Sequence, residues 1–233
     1  MKAMILAAGL GTRLKPFTDH HPKALAIVNG KSLLQRNIEY LQDYGIYELV
    51  VNVHHFANQM KDAIQKNKGW GSNVTISDES EEVLETGGGL LRAKAHFENE
   101  AKWLVMNADI LTDLDLGKML EADKAFDASS EGEMVATLAV TNRTTSRNLI
   151  FNTAGTLCGW KNNTTNEEKW ANPLKDPAMA VPKAFSGIQI VHANFFEALS
   201  LQGKFSLIDA YLQIAQHYAI HFYDHSDDVL LDV

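Results

Sequence analysis

The spacing of hydrophobic positions changes repeatedly along the chain. "MKAMILAAG" is a short unbroken apolar run that ends in a glycine loop, the pattern of a buried strand. "KSLLQRNIEYLQDYG" places Leu33, Leu34, Ile38 and Leu41 at helical spacing, and Gly45 supplies a stop. "YELVVNV" reads as a strand, and "HFANQMKDAIQKN" returns to helical spacing through Phe56, Met60 and Ile64. "NVTIS" is a short strand, "GGGLLRAKAHF" a helix opened by glycines, and "KWLVMNAD" a buried strand with a polar tip. Strands that alternate with helices predict a parallel sheet with crossover helices.

The second half follows a different rule. "EMVATLAVT", "NLIFN", "GTLCGW" and "KAFSGIQIVH" read as strands with little helix between them. "NNTTNEEKWANPLKDPAM" is polar, carries Pro173 and Pro177, and reads as an exposed excursion. "FFEALS" and "SLIDAYLQIAQHY" read as helices, then "AIHFYDH" and "VLLDV" as short strands. No repeat or linker interrupts the 233 residues. The expected fold is a single α/β domain over 1–233, with a Rossmann-like, doubly wound mixed sheet and a β-rich insertion.

Composition narrows the function. The net charge of −8 argues against a broad nucleic-acid-binding face, yet a phosphate site needs only a few local cations. Cys158 is the single cysteine, so no internal disulfide forms, and its apolar surroundings suit a small core residue. The apolar run before Gly9 is too short for a signal segment, and no run approaches the length that spans a bilayer. A cytoplasmic protein with no membrane partner is the expectation. The histidines show no zinc spacing, and the pairs His20-His21 and His54-His55 read as loop surface.

The chemistry concentrates in "AAGLGTRLKPFTDHHPKAL", from Ala7 to Leu25. Gly9 and Gly11 let bare N–H groups converge on an anion. The loop is not a dinucleotide fingerprint, because Leu14 stands where a third glycine is needed, and it is not a P-loop. Arg13, Lys15 and Lys23 supply the charge that a polyphosphate requires, although most surface Lys and Arg are simply solvated. In open α/β sheets ligands bind beyond the carboxyl ends of the strands. The loop after the first strand and Asp109, at the end of "WLVMNAD", should therefore face one crevice. Asp113 and Asp115 suit turn or capping duty ahead of "LGKMLEADKAF".

This loop resembles the signature of the nucleotide-sugar pyrophosphorylases, the sugar-1-phosphate nucleotidyltransferases. Their G-x-G-T-R-L-x-P pattern followed by P-K-x-L stands here as Gly9, Gly11, Thr12, Arg13, Leu14 and Pro16, then Pro22, Lys23 and Leu25. The resemblance runs from Met1 to about Asp109 and resumes at "AFSGIQIVH" and "LLDV". The "LETGGG" stretch and the strand end Asn107-Ala108-Asp109 bring it closest to the N-acetylmuramate-1-phosphate uridylyltransferase group.

The resemblance implies roles. Ala7, Ala8, Gly9, Gly11 and Thr12 would hold the nucleotide, with Gly87 and Gly88 completing its pocket. Glu82, five positions before Gly87, would read the base. It would accept the N3–H of uracil, or two N–H groups of guanine. Arg13 would grip the triphosphate, and Lys23 would touch the α-phosphate and the sugar phosphate. Asn107, Lys161 and Gly187 would serve the sugar phosphate. Asp109 and Asp232 would bind Mg²⁺, the latter on a strand where the family has W-x-D-V-G and this chain has Leu230 in the Trp position. Because the chain stops at Val233, the ending reads as that of a slightly longer protein. A nucleotide-binding half over 1–112 and a sugar-binding half over 113–233 follow.

The implied reaction is transfer of a nucleotidyl group from UTP to N-acetylmuramate-1-phosphate, with pyrophosphate released, in cell-wall recycling. Guanylyl-, thymidylyl- or cytidylyl transfer, and a non-catalytic nucleotide-binding regulatory module, are the other readings. The sequence leaves the oligomeric state open.

Overall fold

The computed structural model describes residues 1–130, 133–174 and 176–233. Its first half runs β1 (Ala3–Leu6), β2 (Ile27–Val28), β3 (Lys31–Ser32), α1 (Leu33–Asp43), β4 (Glu48–Val53), α2 (Ala57–Lys66), β5 (Asn73–Asp78), α3 (Glu85–Arg92), β6 (Lys102–Asn107) and β7 (Ile110–Thr112). The second half runs α4 (Leu116–Ser129), β8 (Met134–Thr141), β9 (Arg147–Phe151), β10 (Leu157–Asn162), β11 (Glu168–Trp170) and β12 (Val181–His192). It closes with α5 (Phe195–Ala198), α6 (Leu207–Ile214), β13 (Ala219–Asp224) and β14 (Leu230–Asp232).

The main sheet has the order β11-β10-β9-β12-β6-β1-β4-β5, with β8 paired to β12 and β13. β1 is parallel to both β4 and β6, while β12 is antiparallel to β6, so the sheet is mixed. Alternation along β1 divides the core. Ala3 and Ile5 face a cluster holding Leu34 and Ile38 of α1, Met60 of α2 and Met119 of α4. Met4 and Leu6 face a second cluster with Leu90 of α3, Phe195 of α5 and Ile214 of α6. Helices on both faces leave β1 and β6 fully covered, which is why "AMIL" and "WLVM" are apolar throughout.

The chain leaves β1 for β4 and β5 on one side, then crosses to β6 on the other. That reversal opens a crevice beyond the carboxyl ends of β1 and β6. Local signals fix the helices around it. Ser32 caps α1 by accepting the Gln35 N–H, and Asp115 caps α4 by accepting the Lys118 N–H. Gly45 follows α1 at φ +73°, a backbone region that glycine enters without cost.

The structure adds detail to the sequence expectation. The polar excursion after Asn162 carries β11, which pairs antiparallel with β10. The β-rich strands β9 to β11 are continuous with the main sheet through β12. A small hairpin of β2 and β3 turns through Asn29 and Gly30, both at positive φ. Cys158 is buried as expected, and burial pushes its thiol pKa up.

Candidate functional site

The loop after β1 folds back on itself because Gly11 allows it. Gly11 sits at φ +61°, and a Cβ there would lie 2.8 Å from Lys23 Cβ and 2.9 Å from Thr18 Cγ2. Thr18 Oγ1 donates to the Gly11 carbonyl at 2.9 Å, and the Leu14 N–H donates to the same oxygen. This compaction carries Lys23 to the end of the central strands, where its side chain is 10% exposed.

Asp109 reaches that point from the other direction. After β6 the Ala108 N–H donates to the Leu6 carbonyl, and the buried Asn37 amide holds the Ala108 carbonyl at 2.8 Å. The turn ends in β7, which pairs antiparallel with β14 so that Asp232 lies opposite Ile110. The Val233 N–H then donates to the Asp109 carbonyl at 3.1 Å. Two carboxylates remote in sequence thus share one edge. Each meets one cation of the loop: Lys23 Nζ lies 2.8 Å from Asp109 Oδ2, and Arg13 Nη2 lies 3.2 Å from Asp232 Oδ1.

A cavity of about 330 Å³ opens beside this cluster, walled by Ala8, Gly9 and Leu10 on one side and by Val83, Glu85 and Thr86 on the other. Asn52 and Glu79 contribute polar groups, and Asn107 and Asp109 close the near end. A smaller hollow of about 40 Å³ continues past Gly9 between Lys23 and Asp109. Gly187, at φ +74°, approaches from β12, and a Cβ on it would lie 2.7 Å from Asn107 Nδ2. The crevice therefore gathers Ala7, Ala8, Gly9, Lys23, Asn107, Asp109 and Gly187, with Arg13 and Asp232 paired at its edge. Gly11 belongs to its scaffold, and Thr12 is exposed in the short 3-10 turn Thr12–Leu14.

Other sequence candidates fall elsewhere. Glu82 is exposed and outside the cavity wall. Its neighbour Glu79 faces in, because the turn that returns the Glu82 N–H to the Glu79 carbonyl sends Glu82 outward. Gly87 and Gly88 are buried behind the wall, and both N–H groups donate to the Phe205 carbonyl. A Cβ on Gly87 would lie 2.5 Å from the Phe205 ring, and one on Gly88 would strike the Gly203 carbonyl, so close packing against 203–206 explains this glycine run. Lys161 lies on β10, where it pairs with Glu168 of β11 at 2.8 Å.

Sequence reasoning missed Asn52, Glu79 and Thr86. The signal for Asn52 was present in "VVNV", an amide inside an apolar strand, at the end of the strand where ligands gather. Burial pushes the Glu79 carboxyl pKa up, against the pull of a hydrogen bond from Asn52.

The donor set at the edge suits a hard divalent cation, which takes one or two carboxylates and completes its shell with phosphate oxygens and water. Among the described residues no group of three or more His, Cys, Asp and Glu forms a fuller cage. No described helix is long and apolar enough to cross a membrane.

The N-acetylmuramate alpha-1-phosphate uridylyltransferase of Neisseria meningitidis is 41% identical over 115 residues, covering 49% of this chain and 49% of that protein. The D-glycero-alpha-D-manno-heptose 1-phosphate guanylyltransferase of Campylobacter jejuni is 37% identical over 119 residues, 51% of this chain and 52% of that protein. In both cases the chain matches about half the length of the relative. The crystal structure of HddC from Yersinia pseudotuberculosis complexed with GMP-PN shares the fold, with a TM-score of 0.74 at 22% identity, over 99% of this chain and 92% of that one. The nucleotidyl transferase profile matches residues 2–148, from β1 through the loop, the cavity wall and Asp109, and the chain belongs to the nucleotidyl transferase family.

Proposed function

We propose that this chain transfers a uridylyl group from UTP to N-acetylmuramate-1-phosphate, giving the nucleotide sugar and pyrophosphate. The observation that carries the reading is that the pairs Lys23–Asp109 and Arg13–Asp232 are linked through the Val233–Asp109 backbone bond, with Asp109 lining the cavity of about 330 Å³. The choice of UTP and of this sugar rests on the relative at 41% identity.

In this reading the base and ribose occupy the cavity between Ala8–Leu10 and Val83–Thr86. Thr86, a polar group of that cavity, becomes the candidate for contacting the base in place of Glu82. The triphosphate extends toward Arg13 and Lys23. The sugar phosphate enters on the side of Asn107 and Gly187, with Lys161 further out on β10. Its phosphate oxygen attacks the α-phosphorus, the bond to the bridging oxygen breaks, and pyrophosphate leaves opposite. The nucleophile is already an anion, so no general base is required. Alignment and charge neutralisation supply the acceleration.

Asp109 and Asp232 are the residues that would hold Mg²⁺. The ion would neutralise phosphate charge and fix the angle between the reacting groups. Arg13 offers a fork to the departing pyrophosphate, and Lys23 is placed to follow the α-phosphate once its carboxylate partner is engaged elsewhere.

Four nucleoside triphosphates tested against a panel of sugar-1-phosphates, with the nucleotide sugar detected by mass, decide the substrates. UTP with N-acetylmuramate-1-phosphate should give the highest kcat/KM. A higher value for GTP with a heptose or mannose phosphate would replace the substrate assignment. Nucleotide binding without product from any pair would favour the regulatory module.

A further inference from the structure

Three elements meet at the cavity wall through a single side-chain amide. Asn52 lies in β4 opposite Leu6 of β1, and is 1% exposed. The β1 ladder stops at Leu6, so the next N–H, that of Ala7, has no strand partner where the loop begins. Asn52 Oδ1 accepts it at 2.7 Å, standing in for a backbone carbonyl. Asn52 Nδ2 donates to Glu79 Oε1 at 2.8 Å. Glu79 is itself held, because its N–H donates to the Val53 carbonyl and His54 Nδ1 contacts its carbonyl at 2.6 Å. Gly89 of α3 covers the pair, since a Cβ there would lie 2.7 Å from Glu79 Oε1 and 2.9 Å from Asn52 Nδ2.

An amide is needed at position 52 because it carries an acceptor and a donor on one rigid plane. Aspartate would accept from Ala7 but turn a second acceptor on Glu79, and a buried unpaired or repelled polar group is costly. Ala8 and Gly9, directly after the clasped N–H, form the cavity wall. The direction of the Ala7 amide therefore sets the path of the wall.

We propose that Asn52 and Glu79 are positioning residues for the nucleotide: Asn52, held by Glu79, clasps the Ala7 N–H and so holds the Ala8–Leu10 wall against the base and ribose. This rests on reading the cavity as the nucleotide site. Gly89 is the residue that leaves room for the clasp.

The test exchanges donor and acceptor. Asn52→Asp should raise the Kd for UTP, measured by calorimetry, by roughly tenfold or more. Glu79→Gln should change it little, because a glutamine carbonyl still accepts from Asn52. The double variant Asn52→Asp/Glu79→Gln should recover most of the loss, because the new glutamine amide donates to the new carboxylate. KM for the sugar phosphate should stay constant throughout, a split that a general packing defect would not give. Hydrogen exchange at the Ala7 amide reads the clasp without nucleotide. It should be slow in the wild-type chain and in the double variant, and faster in Asn52→Asp, where repulsion between the new carboxylate and Glu79 pushes the acceptor off the Ala7 N–H. Wild-type exchange at Ala7 as fast as at exposed Leu10 would overturn the proposal, as would a double variant no tighter for UTP than Asn52→Asp. If the wild-type chain binds no nucleoside triphosphate, the nucleotide reading falls and the positioning role with it, while the exchange series still reports whether the clasp exists.

Discussion

Lys23 Nζ lies 2.8 Å from Asp109 Oδ2, with the lysine side chain 10% exposed and the aspartate 25%. Arg13 pairs with Asp232 at 3.2 Å, but its side chain is 71% exposed. The two loop cations therefore differ in what they contribute to the fold. An exposed pair contributes about 0–1 kcal/mol, whereas removing one partner of a largely buried pair strands the other.

Both cations should matter to turnover, and only one to stability. Arg13→Ala and Lys23→Ala are each expected to lower kcat/KM by about 10²-fold or more, the scale of lost transition-state charge stabilisation. In thermal melts Arg13→Ala should match the wild-type chain, while Lys23→Ala should lose about 1–3 kcal/mol. Equal melting of the two variants would contradict the burial argument, and near-normal kcat/KM in both would contradict their phosphate roles.

Gly187 packs against Asn107 where a side chain would not fit. At φ +74° a Cβ would meet Asn107 Nδ2 at 2.7 Å and Ile110 Cγ1 at 3.2 Å. Gly187→Ala should cost about 1–3 kcal/mol through backbone strain and displace Asn107. Gly30→Ala is the matched control, since Gly30 sits at φ +79° with nothing within 4 Å of a Cβ. It should show the strain alone. KM for the sugar phosphate should rise for Gly187→Ala and not for Gly30→Ala, and the same KM in both would remove Gly187 from the sugar side.

A buried ionic cluster far from the loop gives the fold an acid limit. Asp123 of α4 is fully buried and accepts from Lys102 Nζ at 2.6 Å and Thr137 Oγ1 at 2.8 Å, with His192 Nε2 at 3.0 Å. Burial alone would raise its pKa, but the hydrogen bonds from His192 and Lys102 outweigh burial and hold the carboxyl below its usual range. A carboxyl depressed in the folded state stabilises above its unfolded pKa of about 3.9, and that stability is lost as pH falls through the lower folded value. Asp123→Asn should cost about 3 kcal/mol near neutral pH. The gap between wild-type and variant melting temperatures should close below about pH 4. A gap that stays constant down to pH 2 would show that the charge of Asp123 is not what stabilises.

Much of this was legible in the sequence for identifiable reasons. The buried strands of the first half announced themselves because both faces of β1 and β6 are covered, leaving "AMIL" and "WLVM" without polar interruption. Lys23 and Asp109 stand out because a basic glycine loop and a strand end are visible in local sequence, whereas Asp232 is singled out only through the resemblance of "LLDV" to a family motif. Glu82 and Glu79 could not be separated. "DESEEV" offers three glutamates within four residues, and the turn after β5 alone decides which one points inward. Gly87 and Gly88 misled for a related reason. A glycine run marks a close approach, but here the approaching group is Phe205 and the Gly203 backbone, which arrive from more than a hundred residues away. The start of α4 was legible through its cap, Asp115, although the buried Asp123 breaks the apolar stripe along the helix.

Mg²⁺-dependent release of pyrophosphate from UTP and N-acetylmuramate-1-phosphate, compared across the wild-type chain, Asp109→Asn, Asp232→Asn and the double variant, tests the central claim most directly. Two carboxylates that hold one ion act as a unit, so removing either should abolish most of the rate and removing both should add little. Loss of activity in each single variant, with no further loss in the double, is the predicted result. An Asp109→Asn variant that releases pyrophosphate at the wild-type rate would contradict the account.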